Sequence, residues 1–97
     1  MILNSKILGE ASHSILILHG LFGSLDNWHS IGKELSNDFR VHLIDLTNHG
    51  KSYHDNEHNY ELMSHDLYNY MNHHQIKSPS IIGHSMGGKV AMYYSIY

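Results

Sequence analysis

Residues 80–92 read Ser80-Ile81-Ile82-Gly83-His84-Ser85-Met86-Gly87-Gly88-Lys89-Val90-Ala91-Met92. A short apolar run meets a glycine-flanked serine and passes straight into helix-like sequence. Gly83 to Gly87 fits G-x-S-x-G, a tight strand-to-helix turn that holds its serine in a strained backbone conformation with the hydroxyl pointing away from the sheet. The spacing therefore predicts a strand, a sharp turn and a helix. Glycine is required at Gly83 and Gly87 because two backbones approach closely there, and side chains would collide with the neighbouring strand and helix. A helix beginning at Met86 points its unpaired N–H groups at Ser85, and their field favours negative charge. Ser85 is the candidate nucleophile, and the Met86 N–H is a candidate oxyanion donor.

Gly83 to Lys89 also fits G-x-x-x-x-G-K, most of a phosphate-binding P-loop. That fit fails at Val90, where magnesium binding needs Ser or Thr. The eleven histidines invite a metal site. However, His54/His58 and His73/His74 lie among Asn, Asp and Ser in stretches that read as solvated surface, without converging ligands. Neither a metal nor a cofactor is expected.

The 97 residues, 41% hydrophobic and 15% charged, suit one small globular unit with one core. Six basic against nine acidic residues leave a formal charge of -3 with no basic run, so nucleic acid and anionic membrane surfaces are poor partners. The absence of cysteine excludes disulfides and thiolate metal sites. The start of the chain has no charged segment followed by a long apolar one, and the longest aliphatic run is Ile15 to Leu18. A cytoplasmic location is the expectation.

Upstream of the serine, the pattern alternates strand and helix. Ile2-Leu3 and Ile7-Leu8 suggest a short, irregular edge strand. Ser14 to His19 and Arg40 to Asp45 are apolar without alternation, as strands buried on both faces of a parallel sheet read. Between them, Trp28, Ile31 and Leu35 recur at helical spacing behind Ser24 and Asp26, either of which could cap the helix. Trp28 reads as helix-to-sheet packing. His19-Gly20-Leu21-Phe22-Gly23-Ser24 forms a loop at the carboxyl end of a strand, the edge where open α/β sheets bind ligands. Asp45 to Ser52 is turn-rich, with Asp, Asn and Gly suited to backbone bonding or positive φ. Tyr53 to Asn59 reads as polar and mobile. Tyr60, Met63, Leu67, Tyr70 and Met71 then mark an amphipathic helix with Glu61, Asp66, Asn69 and Asn72 outward. Pro79 introduces the third strand, Ser80-Ile81-Ile82, and Val90, Tyr93, Tyr94 and Tyr97 are available to pack the last helix on the sheet. The whole predicts a three-layer α/β/α sandwich with a mostly parallel sheet.

Three motifs in this order, His19-Gly20-Leu21-Phe22-Gly23-Ser24, Asp45-x-x-Asn48-His49-Gly50-x-Ser52 and Gly83-His84-Ser85-Met86-Gly87-Gly88, resemble the α/β-hydrolase superfamily. The resemblance spans nearly the whole chain and is strongest to small bacterial YbfF-type esterases. Thr47 departs from the Arg usual in those relatives. The resemblance implies that Ser85 attacks an ester or thioester carbonyl to form an acyl-enzyme. The oxyanion hole would use the N–H of Met86 and that of Leu21, with Phe22 as the fallback. Leu21, Phe22, His84 and Met86 would contact a small-molecule acyl substrate. His19 and His49 would fix loops rather than act as the base. Because this fold places the triad acid and histidine after the serine, residues 1–97 are expected to be the N-terminal portion of a single hydrolase domain, inactive alone. Two other readings stay open: a non-catalytic ligand-binding relative, and another activity of the fold such as C–C hydrolase, lyase or cofactor-free peroxidase. Substrate identity and oligomeric state stay undetermined.

Overall fold

The computed structural model describes residues 2–96, without the side chain of Ile96. Its strands are β1 (Ser5–Leu8), β2 (Ser14–Leu18), β3 (Arg40–Ile44) and β4 (Ser80–Gly83). A 3₁₀ turn over Leu25–Trp28 leads into α1 (His29–Leu35), and α2 (Tyr60–His73) and α3 (Met86–Ile96) complete the elements. The sheet runs β1-β3-β2-β4. β2 pairs in parallel with both β3 and β4, and only β1, at one edge, is antiparallel.

Alternation along the strands sends side chains to two separate cores. Ile15, Ile17, Val41 and Leu43 meet Leu25, Trp28 and Leu35 on one face. Leu16, Leu18 and Ile44 meet Met63, Leu67, Tyr70 and Val90 on the other. Helices therefore cover both faces of β2 and β3, which explains why these strands read as unbroken apolar runs. This is the expected three-layer α/β/α arrangement. β4 lies at the far edge, where Ile82 is 40% exposed.

Three expectations about helix faces need correction. Tyr60 and Ile31, assigned to apolar faces, are 38% and 48% exposed. Each borders a cleft beside Ser85 instead of packing on the sheet. Asp66, assigned to the outward face of α2, is buried. Its Oδ2 accepts hydrogen bonds from the Thr47 hydroxyl and the Tyr53 hydroxyl, each at 2.5 Å, because the loop after β3 folds down over α2. Burial, followed by the Asp66 hydrogen bond, pushes the Tyr53 phenol up to about 12. The segment after Tyr53, read as mobile, is tied by the Asn48 side chain, which donates to the Glu57 carbonyl and accepts from the Asp55 N–H.

Ser24 is the N-cap of the 3₁₀ turn, its N–H donating to Asn27 Oδ1, whereas α1 itself follows Trp28 without a side-chain cap, so neither Ser24 nor Asp26 caps that helix. The expected packing of Tyr97 lies outside the described residues. No helix among the described residues is long and apolar enough to cross a membrane.

Candidate active site

Ser85 occupies the turn between β4 and α3 with φ at +54°. A residue bearing a Cβ pays conformational strain there, and the surrounding contacts must hold it. They are tight. A Cβ on Gly83 would lie 2.6 Å from the backbone of Gly87 and Gly88, and one on Gly87 would lie 2.3 Å from the Leu18 carbonyl oxygen. The His84 N–H donates to the Leu18 carbonyl at 3.0 Å, continuing the strand pairing to the last residue before the serine. The Lys89 N–H donates to the Ser85 carbonyl at 3.1 Å, so the helix begins immediately after it. As a first-turn residue, Met86 has an N–H that its own helix cannot pair.

The loop after β2 faces this turn. A Cβ on Gly20 would lie 3.0 Å from His84 Nδ1 and 3.5 Å from Ser85 Cβ, so the two segments meet closely and a side chain there would press on the His84 ring. The Gly23 N–H closes a turn on the Gly20 carbonyl at 3.0 Å. At its tip, Phe22 adopts φ +61° and is 92% exposed. The Phe22 N–H donates to His49 Nε2 at 3.1 Å, whereas the Leu21 N–H has no acceptor among the described residues. The Ser85 hydroxyl likewise has no hydrogen-bond partner among them.

Two buried histidines hold the Leu21–Phe22 loop. His19 Nε2 accepts from the Leu46 N–H at 3.0 Å, which leaves Nδ1 as the protonated nitrogen, donating to the Gly20 carbonyl at 2.8 Å. By the same reasoning, His49 accepts from Phe22 through Nε2 and donates from Nδ1 to the Thr47 carbonyl at 2.9 Å. Burial drives the His19 pKa below its ordinary value, outweighing the opposing hydrogen bond to Gly20. Both rings are therefore engaged at both nitrogens, away from Ser85.

Asp45, at the end of β3, secures the floor of this region. Its Oδ1 accepts from the Leu25 N–H at 2.7 Å, and its Oδ2 accepts from the Lys51 N–H at 3.0 Å and the Asn4 amide at 2.9 Å. Burial by itself raises its pKa, but these hydrogen bonds outweigh it and hold the carboxyl below its ordinary range. Nothing in the turn-rich pattern of residues 45–52 indicated the long-range bond to Leu25.

Two clefts open at Ser85. One, of about 370 Å³, is bounded by Leu21, His58, Tyr60, Met63, Met86 and Lys89. The other, of about 450 Å³, runs past Gly20, Trp28, Ile31 and His84. Trp28, read from sequence as packing alone, is partly buried against the core and faces His84 at a centroid distance of 5.8 Å. Ser85, Leu21, His84 and Met86 thus come together. Phe22 instead borders an adjoining groove with Asn48, His49 and His58, which Ser85 does not line. Among the described residues, no three His, Asp or Glu side chains are grouped to hold a metal ion.

Residues 13–97 match the family model described as alpha/beta hydrolase fold. The chain is 49% identical over 89 residues to a probable alcohol acetyltransferase of Saccharomyces cerevisiae, covering 87% of this chain and 26% of that protein. It is 45% identical over 78 residues to esterase YbfF of Escherichia coli, covering 80% of this chain and 31% of that one. A solved structure of a marine microorganism esterase superposes with a TM-score of 0.95 at 47% identity, over 97% of this chain and 36% of its own. The chain thus spans about a quarter to a third of the curated relatives it matches. With a serine at positive φ between strand and helix, a glycine-bracketed loop opposite it and this match over most of its length, the chain belongs to the alpha/beta hydrolase fold family.

Proposed function

We propose that this chain carries the nucleophile and oxyanion hole of a serine hydrolase acting on carboxylic esters or acyl thioesters. Ser85 Oγ adds to the acyl carbonyl, and the resulting oxyanion is held by the N–H groups of Met86 and Leu21. Collapse expels the alcohol or thiol, and water then attacks the acyl-serine. The observation that carries this reading is the φ of +54° at Ser85, strain in a reactive residue set directly against Gly20. Leu21 is preferred over Phe22 as the second donor, since the Phe22 N–H is already given to His49. Loss of one such donor typically lowers turnover on the order of a hundredfold.

In this reading residues 1–97 are the N-terminal portion of the hydrolase domain, and the base and its orienting carboxylate come from later sequence. The share of each relative that the chain covers supports this, as does the lack of a partner for the Ser85 hydroxyl among the described residues. Fluorophosphonate labelling of the full-length protein tests the proposal. A stoichiometric adduct on Ser85, absent from Ser85→Ala, is expected; an unlabelled protein beside a labelled control esterase would leave only a non-catalytic binding role.

A second reading uses the same acyl-serine. The similarity to a probable alcohol acetyltransferase favours an acceptor alcohol in place of water at the second step. Adding ethanol during ester turnover separates the two: ethyl ester accumulating faster than free acid favours transfer, and free acid alone favours hydrolysis.

A further inference from the structure

At the opposite end of the sheet from Ser85, where β2 and β3 begin, a cavity of about 410 Å³ opens beneath the end of α2. Ser14, Arg40 and His42 face it from the strands, and His74, Gln75 and Lys77 from the segment that ends and follows α2. The chemistry is one-sided. No Asp or Glu borders the cavity, although acids outnumber Lys and Arg nine to six in the chain. Arg40 and Lys77 form no ion pair among the described residues, and the Arg40 guanidinium makes only a long 3.5 Å contact with the Glu10 carbonyl.

His42 gives a second, independent indication. It is 2% exposed, and its Nε2 is a buried polar atom with no partner. Such atoms are rare in folded proteins and call for an explanation. The other ring nitrogen, Nδ1, is 2.7 Å from the Tyr70 hydroxyl. The tautomer decides the direction of that bond: where the Tyr70 hydroxyl donates to Nδ1, the ring hydrogen sits on Nε2 as an unused donor. At the end of α2 the Tyr70, Met71 and Asn72 carbonyls accept from the N–H groups of His74, Ile76 and Gln75, and the negative end of the helix dipole that remains must be offset by Arg40 and Lys77.

We propose that this cavity is a binding site for a phosphoryl dianion, with Arg40 and Lys77 supplying charge, Ser14 and His74 as donors, and His42, in the tautomer whose Nδ1 accepts from the Tyr70 hydroxyl, adding a buried Nε2–H donor. Arginine forks two parallel N–H groups to such oxygens, and donors from three directions suit a tetrahedral anion better than a planar carboxylate. The volume lies within the range of small-molecule pockets and exceeds what a lone phosphate fills, so the favoured ligand is a phosphomonoester with a small organic group. Because burial, then His74 and Arg40, hold the His42 pKa down to about 4, its ring enters the site neutral, as a donor rather than as a charge.

The test is a titration of the full-length protein at pH 7 and fixed ionic strength, following histidine ring ¹⁵N and ¹H signals together with backbone amide signals. Inorganic phosphate and phenyl phosphate are the probes, and acetate is the control. Saturable shifts of His42 and His74 with either phosphate, weakened at least tenfold in Arg40→Gln and severalfold in Lys77→Gln, are expected. Tighter binding of phenyl phosphate, with shifts at Ile7 and Ile76, identifies an organic phosphate as the ligand; preference for inorganic phosphate identifies the free ion. Non-saturating shifts, equal affinity in Arg40→Gln, or equal response to acetate would overturn the proposal and leave a water-filled cavity. Both variants alter exposed side chains remote from Ser85, so ester turnover and fluorophosphonate labelling remain independent readouts of the other site.

Discussion

Replacing Ser85 with glycine and, separately, with alanine isolates the strain at the turn. At φ +54°, a Cβ-bearing residue pays roughly 1–2 kcal/mol relative to its ordinary conformations. Alanine keeps that Cβ, and the hydroxyl it removes forms no hydrogen bond among the described residues, so Ser85→Ala is expected to fall within about 0.5 kcal/mol of the parent. Glycine removes the strain but loosens the unfolded chain by about 0.4–1 kcal/mol. The difference leaves Ser85→Gly more stable than Ser85→Ala by about 0.8 kcal/mol, within a span of about 0–1.6, the reverse of the usual order for a non-turn position. Urea unfolding of the two full-length variants, compared at their midpoints with equal m-values, reads this directly. Both should lack ester turnover. An alanine variant as stable as the glycine variant, or more so, would show that the turn stores no strain at residue 85.

Three further perturbations follow from the neighbouring structure. Gly50→Ala adds a Cβ at φ +52° that would lie 2.3 Å from Asp45 Cγ, so it should cost about 3 kcal/mol or more in urea unfolding, and an unchanged midpoint would contradict the Asp45 arrangement. Asp66→Ala strands the Thr47 and Tyr53 hydroxyls and should cost about 2–3 kcal/mol, against about 1 kcal/mol for Thr47→Val; equal and negligible losses would mean that Asp66 is solvated. His42 has its pKa lowered from 6.5 to about 4, so as pH falls the unfolded chain takes up the proton first. The stability tied to neutral His42 is therefore complete above pH 6.5, erodes between 6.5 and 4, and falls no further below that. Partial solvent screening at the open cavity brings the total to about 2 kcal/mol. Urea midpoints across that window should decline less in His42→Asn, and parallel declines would remove His42 as the cause.

The elbow and the strands flanking it were legible because their signals are local. A Gly-x-Ser-x-Gly turn is dictated by backbones that touch within a few residues, as Gly83 against Gly87 does. β2 and β3 read as buried strands because both of their faces are covered, which leaves no polar side to alternate. Asp66 was misread because helical periodicity reports only the helix, while the hydroxyls that neutralise its burial arrive from Thr47 and Tyr53 on a loop folded across it. Tyr60 and Ile31 failed for the converse reason: apolar residues at helical spacing were assigned to the core, but those positions overhang clefts. The commitment of Phe22 to His49, and the cationic cavity around His42, depend on contacts between distant segments that no spacing encodes.

The central claim is that Ser85 takes the acyl group itself. The full-length protein, mixed briefly with p-nitrophenyl acetate and quenched in acid, can be digested and its peptides weighed. An acetyl group on the peptide containing Ser85, formed together with a burst of p-nitrophenolate and missing from Ser85→Ala, is the predicted result. Turnover of the ester with that peptide unmodified at every quench time, or with the acetyl group on another residue, would contradict the account.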